Sequence, residues 1–270
     1  MKKVVENIEL FNKLLSKYLS KKYINNASRL IRDYNILISE GKLYYIERNN
    51  YLFFLENCKE FYNLYYFISE SNLFVDKGDL KLDRPVVADE IYTDNKLNQA
   101  VNLLLEAGFK KYLTRIYKTL KINEKNIYDI KDIELNNVKF ADKDDVDFIV
   151  YLQNKYIDKY TGNILSKEDI LSSVENKLIL GAYEGNDFAG YLRFGTNKKS
   201  IFIEGIAIGD NFRGKGYSKQ LINYLIDYSF QKEYNKIDLW VRDDNISALK
   251  LYDFFGFEKT KYKCDNYIKY

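Results

Sequence analysis

The 270-residue chain contains no histidine, the one side chain whose ordinary pKa lies between pH 5 and 8. Proton transfer near neutrality is therefore left to carboxylates, tyrosine or relayed water. There are two cysteines, Cys58 and Cys264, one in each half. They fit unpaired, reduced thiols of a cytoplasmic protein rather than a disulfide framework. No apolar run approaches the roughly 18 residues of a membrane span. Glu6, Asn7 and Glu9 follow Met1-Lys2-Lys3 too soon for a signal peptide. A cytoplasmic location without membrane contact is expected. A net charge of +3 is near neutral for this length, so no polyanion, nucleic acid included, is implied as a partner. No metal is expected either.

What the chain has in excess is aromatic, at 16% with 26 tyrosines. Together with the Lys, Ile and Asn bias this points to a genome of low GC content, and it discounts aromatic-basic stretches as nucleic-acid signals.

Ile201-Phe202-Ile203-Glu204-Gly205-Ile206-Ala207-Ile208 is an apolar, β-branched run that reads as a strand buried on both faces. Gly209-Asp210-Asn211 is a turn signal, and Arg213-Gly214-Lys215-Gly216 follows. Leu221, Ile222, Leu225 and Ile226 then recur with the spacing of an amphipathic helix. A glycine-rich loop opening a helix leaves backbone N–H groups unpaired at the positive end of the helix dipole, which is a phosphate site. Arg213 and Lys215 are expected to add charge there. The plainer reading is a strand-to-helix turn with surface cations. A G-x-x-x-x-G-K-[ST] loop is missing, and Lys219 stands where a dinucleotide fingerprint needs its third glycine.

Further on, Asn245 reads as an N-cap, and Ala248, Leu251, Tyr252 and Phe255 share one helix face. Gly256 ends that helix and Phe257 begins another strand. Lys236 to Arg242 alternates as the strand before it. Taken together, Asn245-x-x-Ala248-x-x-Leu251-Tyr252-x-x-x-Gly256-Phe257 and Arg213-Gly214-Lys215-Gly216 resemble the acyl-CoA site of the GNAT acetyltransferase superfamily. The chain departs from that pattern at Asn211, where Arg or Gln is usual, and at Ser218, where a third glycine is common.

The resemblance implies that the strands at 201–208 and 236–242 splay apart, with the pantetheine arm between them against the backbone of Ile206, Ala207 and Ile208. It implies that Arg213, Gly214, Lys215, Gly216, Tyr217, Ser218 and Asn245 bind acetyl-CoA. Tyr252 would contact it and donate a proton to the leaving sulfur. A tyrosine of pKa about 10 is still protonated where a thiol of about 8.5 begins to ionise. Packing is the other reading of Tyr252. Glu204 sits where family members often carry a glutamate that acts on the amine through water; alternatively it is an outward strand carboxylate. Asp243 and Asp244 either select a cationic amine or begin a turn.

The rest of such a domain is legible from about residue 136. Asn137 to Ala141 reads as a strand, and Asp142 to Asp145 caps a helix through Phe148, Ile149 and Leu152. Ser166 opens a second helix, and Lys177 to Glu184 and Phe188 to Phe194 form a hairpin. In the first half, helical periodicities run from Val4 to Leu19 and from Ala27 to Ile38. Strands are read at Lys42–Ile46, Tyr51–Leu55, Phe61–Ile68 and Val86–Tyr92. Ala100, Leu103 and Gly108 repeat the spacing of Ala248, Leu251 and Gly256, with Leu104 in place of the tyrosine and Leu97 in place of the asparagine.

The expected fold is therefore α+β, a mixed and mostly antiparallel sheet flanked by helices, in two tandem GNAT-like copies. The first copy (1–130) is degenerate and non-catalytic; it has no Arg-Gly-x-Gly loop, and Pro85 lies in the short gap where that loop would stand. An unrelated α+β domain is the other reading of it. The second copy (136–270) is the acetyltransferase, with Lys121 to Asn136 as linker. The expected function is acetyl transfer from acetyl-CoA to the primary amine of a small molecule or peptide, in a monomer or homodimer. The alternatives are a silent CoA-binding regulator and an aminoacyl-tRNA-dependent transferase.

Overall fold

A computed structural model describes residues 2–19, 22–93, 99–123 and 137–270. Leu97 and most of the expected linker lie outside them. The first elements are β1 (Lys3–Val4), α1 (Ile8–Tyr18), β2 (Tyr23–Asn25), α2 (Ser28–Ser39), β3 (Leu43–Glu47), β4 (Tyr51–Asn57) and β5 (Tyr62–Ser69). A 3₁₀ turn (Lys77–Leu80) precedes β6 (Val86–Thr93), α3 (Ala100–Glu106) and β7 (Lys110–Lys121). After the undescribed stretch come β8 (Val138–Phe140), α4 (Val146–Tyr156), α5 (Lys167–Glu175), β9 (Ile179–Glu184), β10 (Asp187–Asn197) and β11 (Ser200–Ile208). The chain ends with α6 (Tyr217–Gln231), β12 (Lys236–Arg242), α7 (Ile246–Phe254) and β13 (Glu258–Lys269).

These elements make two compact units, and their division differs from the one expected from sequence. One unit is Met1–Arg115 with Lys261–Tyr270, the other Ile116–Thr260. The last strand of the chain thus serves the first unit. Periodicity shows that a segment is a strand but not which neighbour takes its hydrogen bonds, so the sequence alone could not assign it.

In the first unit the strands run β1-β3-β4-β5-β6-β13-β7, with β2 set beside β5. Asn7 caps α1 by accepting from Leu10 N at 2.8 Å. Phe11, Leu14, Leu15 and Tyr18 form the buried stripe of that helix. They pack with α2 residues such as Leu30 and Leu37 over one sheet face. Leu104, in the place of the motif tyrosine, packs with Phe53, Leu64 and Tyr66 in a separate core.

In the second unit the order is β7-β12-β11-β10-β9-β8. β8 to β11 pair antiparallel, and β11 with β12 parallel. The amphipathic face expected at Leu221, Ile222, Leu225 and Ile226 is the buried face of α6, packed on Ile201, Ile203, Ile237 and Leu239. The other face is covered by α4 and α5 through Ile149, Leu152 and Ile170. Asp142 and Asp145 form a reciprocal capping box before α4, and Ser166 caps α5.

Candidate active site

Ladder hydrogen bonds between β11 and β12 join Ser200–Ile203 to Lys236–Leu239 and then stop. Beyond Ile203, β11 stays paired with β10, Gly205 to Ile208 against Arg193 to Gly190. Glu204 falls between the pairs Ile203–Phe194 and Gly205–Arg193, a β-bulge that bends the strand and re-aims its side chain. The two parallel strands thus part at Glu204. The stretch of β11 around Ile206, Ala207 and Ile208 lies beyond the last pair with β12 and remains bonded to β10 alone.

Beyond that stretch the chain turns into α6. Gly214 and Gly216 hold φ of +79° and +87°, and nothing lies within 4 Å of where a Cβ would stand on either. Glycine is required there by the left-handed backbone, and the space in front is open. The first acceptor bonds of the helix are those from Lys219 and Gln220 N–H to Gly216 O, at 2.9 and 3.1 Å. Among the described residues, the N–H groups of Gly214 through Ser218 have no acceptor. Five successive donors at a helix N-terminus suit a diphosphate.

The two cations of the loop both have acidic partners. Lys215 Nζ lies 2.9 Å from both Glu184 oxygens, and Tyr217 Oη donates to Glu184 at 3.1 Å. These bonds hold the Glu184 carboxyl below its usual range. Arg213 Nη1 is 3.4 Å from Asp210, and its guanidinium lies 4.4 Å from the centre of the Tyr156 ring. Exposed pairs of this kind are weak and readily exchanged for a stronger anion.

Tyr252 lies on α7 in the core of the unit, 4% exposed, with its ring 5.4 Å from that of Phe257. Its hydroxyl has no hydrogen-bond partner among the described residues and is not one of their fully buried unpaired atoms, so the ring is buried while the oxygen still meets solvent. Burial raises its pKa well above the ordinary tyrosine value. Asn245 accepts from Ala248 N and Ser247 Oγ, both at 3.1 Å, so its carbonyl oxygen fixes the start of α7. Ser218 is half-buried in the first turn of α6. Of the two aspartates, Asp244 is gripped by Arg242 at 2.9 and 2.8 Å, which keeps its carboxyl low and makes it the turn residue.

Glu204 has a neighbour the sequence reading missed. Arg193 is buried in β10, 4% exposed, with Nε 3.2 Å from Glu204 Oε2 and Nη2 donating to Asn163 O at 2.6 Å. Burial lowers the guanidinium pKa and the Glu204 charge opposes that shift. The available signal was an arginine inside the apolar run Phe188 to Phe194. Among the described residues no group of acids, cysteines or histidines is placed to hold a metal ion, and no helix is long and apolar enough to cross a membrane.

Residues 145–257 match the acetyltransferase (GNAT) family. A GCN5-related N-acetyltransferase from Sphaerobacter thermophilus is similar at a TM-score of 0.61 and 11% identity, over 93% of this chain and 96% of that one. A GNAT-family acetyltransferase from Colwellia psychrerythraea gives a TM-score of 0.57 at 12% identity, over 100% of both chains. A tandem GNAT protein of the clavulanic acid biosynthesis pathway gives 0.52 at 8% identity, over 94% of this chain and 85% of that one. No curated protein matches this sequence. The chain carries a GNAT acetyltransferase domain at residues 145–257, and its α+β fold is that of tandem GNAT proteins.

Proposed function

We propose that this domain moves an acetyl group from acetyl-CoA to a primary amine by direct attack within a ternary complex. The observation that carries the reading is the end of ladder pairing between β11 and β12 at Ile203–Leu239, followed along the chain by the unbonded N–H groups of Gly214 to Ser218. A glycine loop alone would serve any phosphate. A glycine loop at the end of a parted strand pair suits a long ligand with a diphosphate at one end.

Within that frame each residue has a definite task. The N–H groups of Gly214, Lys215, Gly216, Tyr217 and Ser218 hold the diphosphate. Lys215 and Arg213 exchange Glu184 and Asp210 for it, and Asn245 sets the first turn of α7. The backbone from Ile206 to Ile208 pairs with the pantetheine amides. Tyr252, kept protonated by burial, donates its hydroxyl proton or a strong hydrogen bond to the departing sulfur. Glu204 acts on the amine through water, with the Arg193 charge beside its carboxylate at the bulge.

The test is thiol release from acetyl-CoA with amino acids, polyamines, aminoglycosides and peptides as acceptors. Amine-dependent release, with the acetylated amine found by mass, is the expected result. Binding of acetyl-CoA with no release across the panel would favour a CoA-binding regulator.

A further inference from the structure

The first unit has a parted strand pair of its own. β5 and β6 run parallel and pair only at Tyr62–Val86 and Asn63–Val87. Past that point β5 remains with β4, and β6 with β13. This is the same parting that β11 and β12 show in the second unit, and there it forms the proposed cofactor gap. In the first unit the chain fills it. β2 pairs antiparallel with the freed edge of β5, Tyr23, Ile24 and Asn25 against Ser69, Ile68 and Phe67.

The next residue, Asn26, completes the seal. Its Oδ1 accepts from Tyr66 N at 2.8 Å, while its Nδ2 donates to Leu64 O at 3.0 Å and to Asp89 O across the gap at 3.2 Å. A carboxamide has two donors and an acceptor, and here it reproduces the bonding of a peptide group laid between two strands. Tyr66 stands as far beyond Asn63 as Ile206 stands beyond Ile203, so Asn26 meets β5 where a pantetheine amide is proposed to meet β11. Ala27 follows, fully buried beneath the helices, which anchors the segment.

We infer that residues 22–27 are a permanent internal ligand of the first unit, occupying its cofactor-type gap in place of CoA. The first unit is closed to CoA by occupation, beyond its lack of a glycine loop. This holds whether or not the second unit turns over substrate.

Amide hydrogen exchange on the full chain tests it directly. The N–H groups of Tyr66 and Ile68, which alternate onto the Asn26 and β2 side of β5, should be protected without ligand, and equally protected at saturating CoA. Asn26→Ala should speed exchange at Tyr66 by about tenfold or more. If that variant fails to fold, the wild-type comparison with and without CoA still decides. Calorimetry on the wild type should give no more than one CoA per chain. Loss of protection at Tyr66 and Ile68 on adding CoA would overturn the inference, as would two CoA per chain or exchange at these two groups as fast as in an unstructured chain in the free protein. A total absence of CoA binding would instead count against the proposed function, leaving the exchange pattern to judge the internal ligand.

Discussion

At the scale of single residues the hydroxyl of Tyr252 is the most exposing test of the chemistry. It makes no hydrogen bond among the described residues, so Tyr252→Phe removes no interaction that the fold uses. The variant should melt at the wild-type temperature or slightly above and bind acetyl-CoA nearly as well. Its turnover should fall by about 10²–10⁴-fold, the usual contribution of a general acid. An unchanged rate, with the chemical step limiting, would make Tyr252 a packing residue. The two thiols give a second test. Burial pushes the Cys264 thiol up to about 12, with the Asp89 charge adding to the effect and Arg115 opposing it. Thiolate is the reactive form, so at pH 8 a thiol reagent should label Cys58 in the folded protein and both cysteines after denaturation. Because the folded pKa is above the unfolded value, this group favours the native state fully below about pH 9. That contribution is lost as the pH rises towards 12. Rapid labelling of both thiols in the folded protein at pH 8 would contradict this burial.

At the scale of elements, the loop before α6 makes the sharper prediction. Substituting Gly214 and Gly216 together by Val puts side chains on left-handed backbone, at roughly 1–2 kcal/mol each, with no clash since the space is open. The unliganded protein should remain folded but melt lower, and acetyl-CoA should no longer raise its melting temperature. An undiminished ligand-induced shift would remove the loop from the site. Much of this region was legible in the sequence because local rules govern it. A capping asparagine, a helix-ending glycine at 256 and the glycines of the loop each carry their structure in their own residue type. The bulge at Glu204 and the parting of β11 from β12 left no such mark, since they depend on which strand lies alongside. The Arg193–Glu204 pair was hidden for the same reason. Nothing in its local sequence marks Asn26, and only the strands around it give it a role.

The whole molecule shows where sequence order and folded units diverge, and it decides how the protein can be cut. From sequence, a break between 130 and 136 separates the halves. The second unit, however, takes Ile116 and Leu120 from β7 into its core, and β7 covers the edge of β12. The first unit depends on β13 in the same way, with Tyr262 to Lys269 paired along β6 from Thr93 to Val86. Its buried polar cluster includes Arg115 at 2.7 Å from Asp89 and 3.4 Å from the Cys264 sulfur. A fragment 136–270 therefore loses core side chains and bares a sheet edge, a recipe for aggregation. A fragment 1–130 loses a strand against β6 and leaves Asp89 and Arg115 without their β13 neighbours. Each fragment made alone should be insoluble or lack a cooperative melt, while the two co-expressed should be recovered together, soluble and able to bind acetyl-CoA. A fragment 136–270 that folds cooperatively by itself and retains full transfer activity would refute this exchange of terminal strands. It would also return the catalytic domain to the boundaries its sequence suggests.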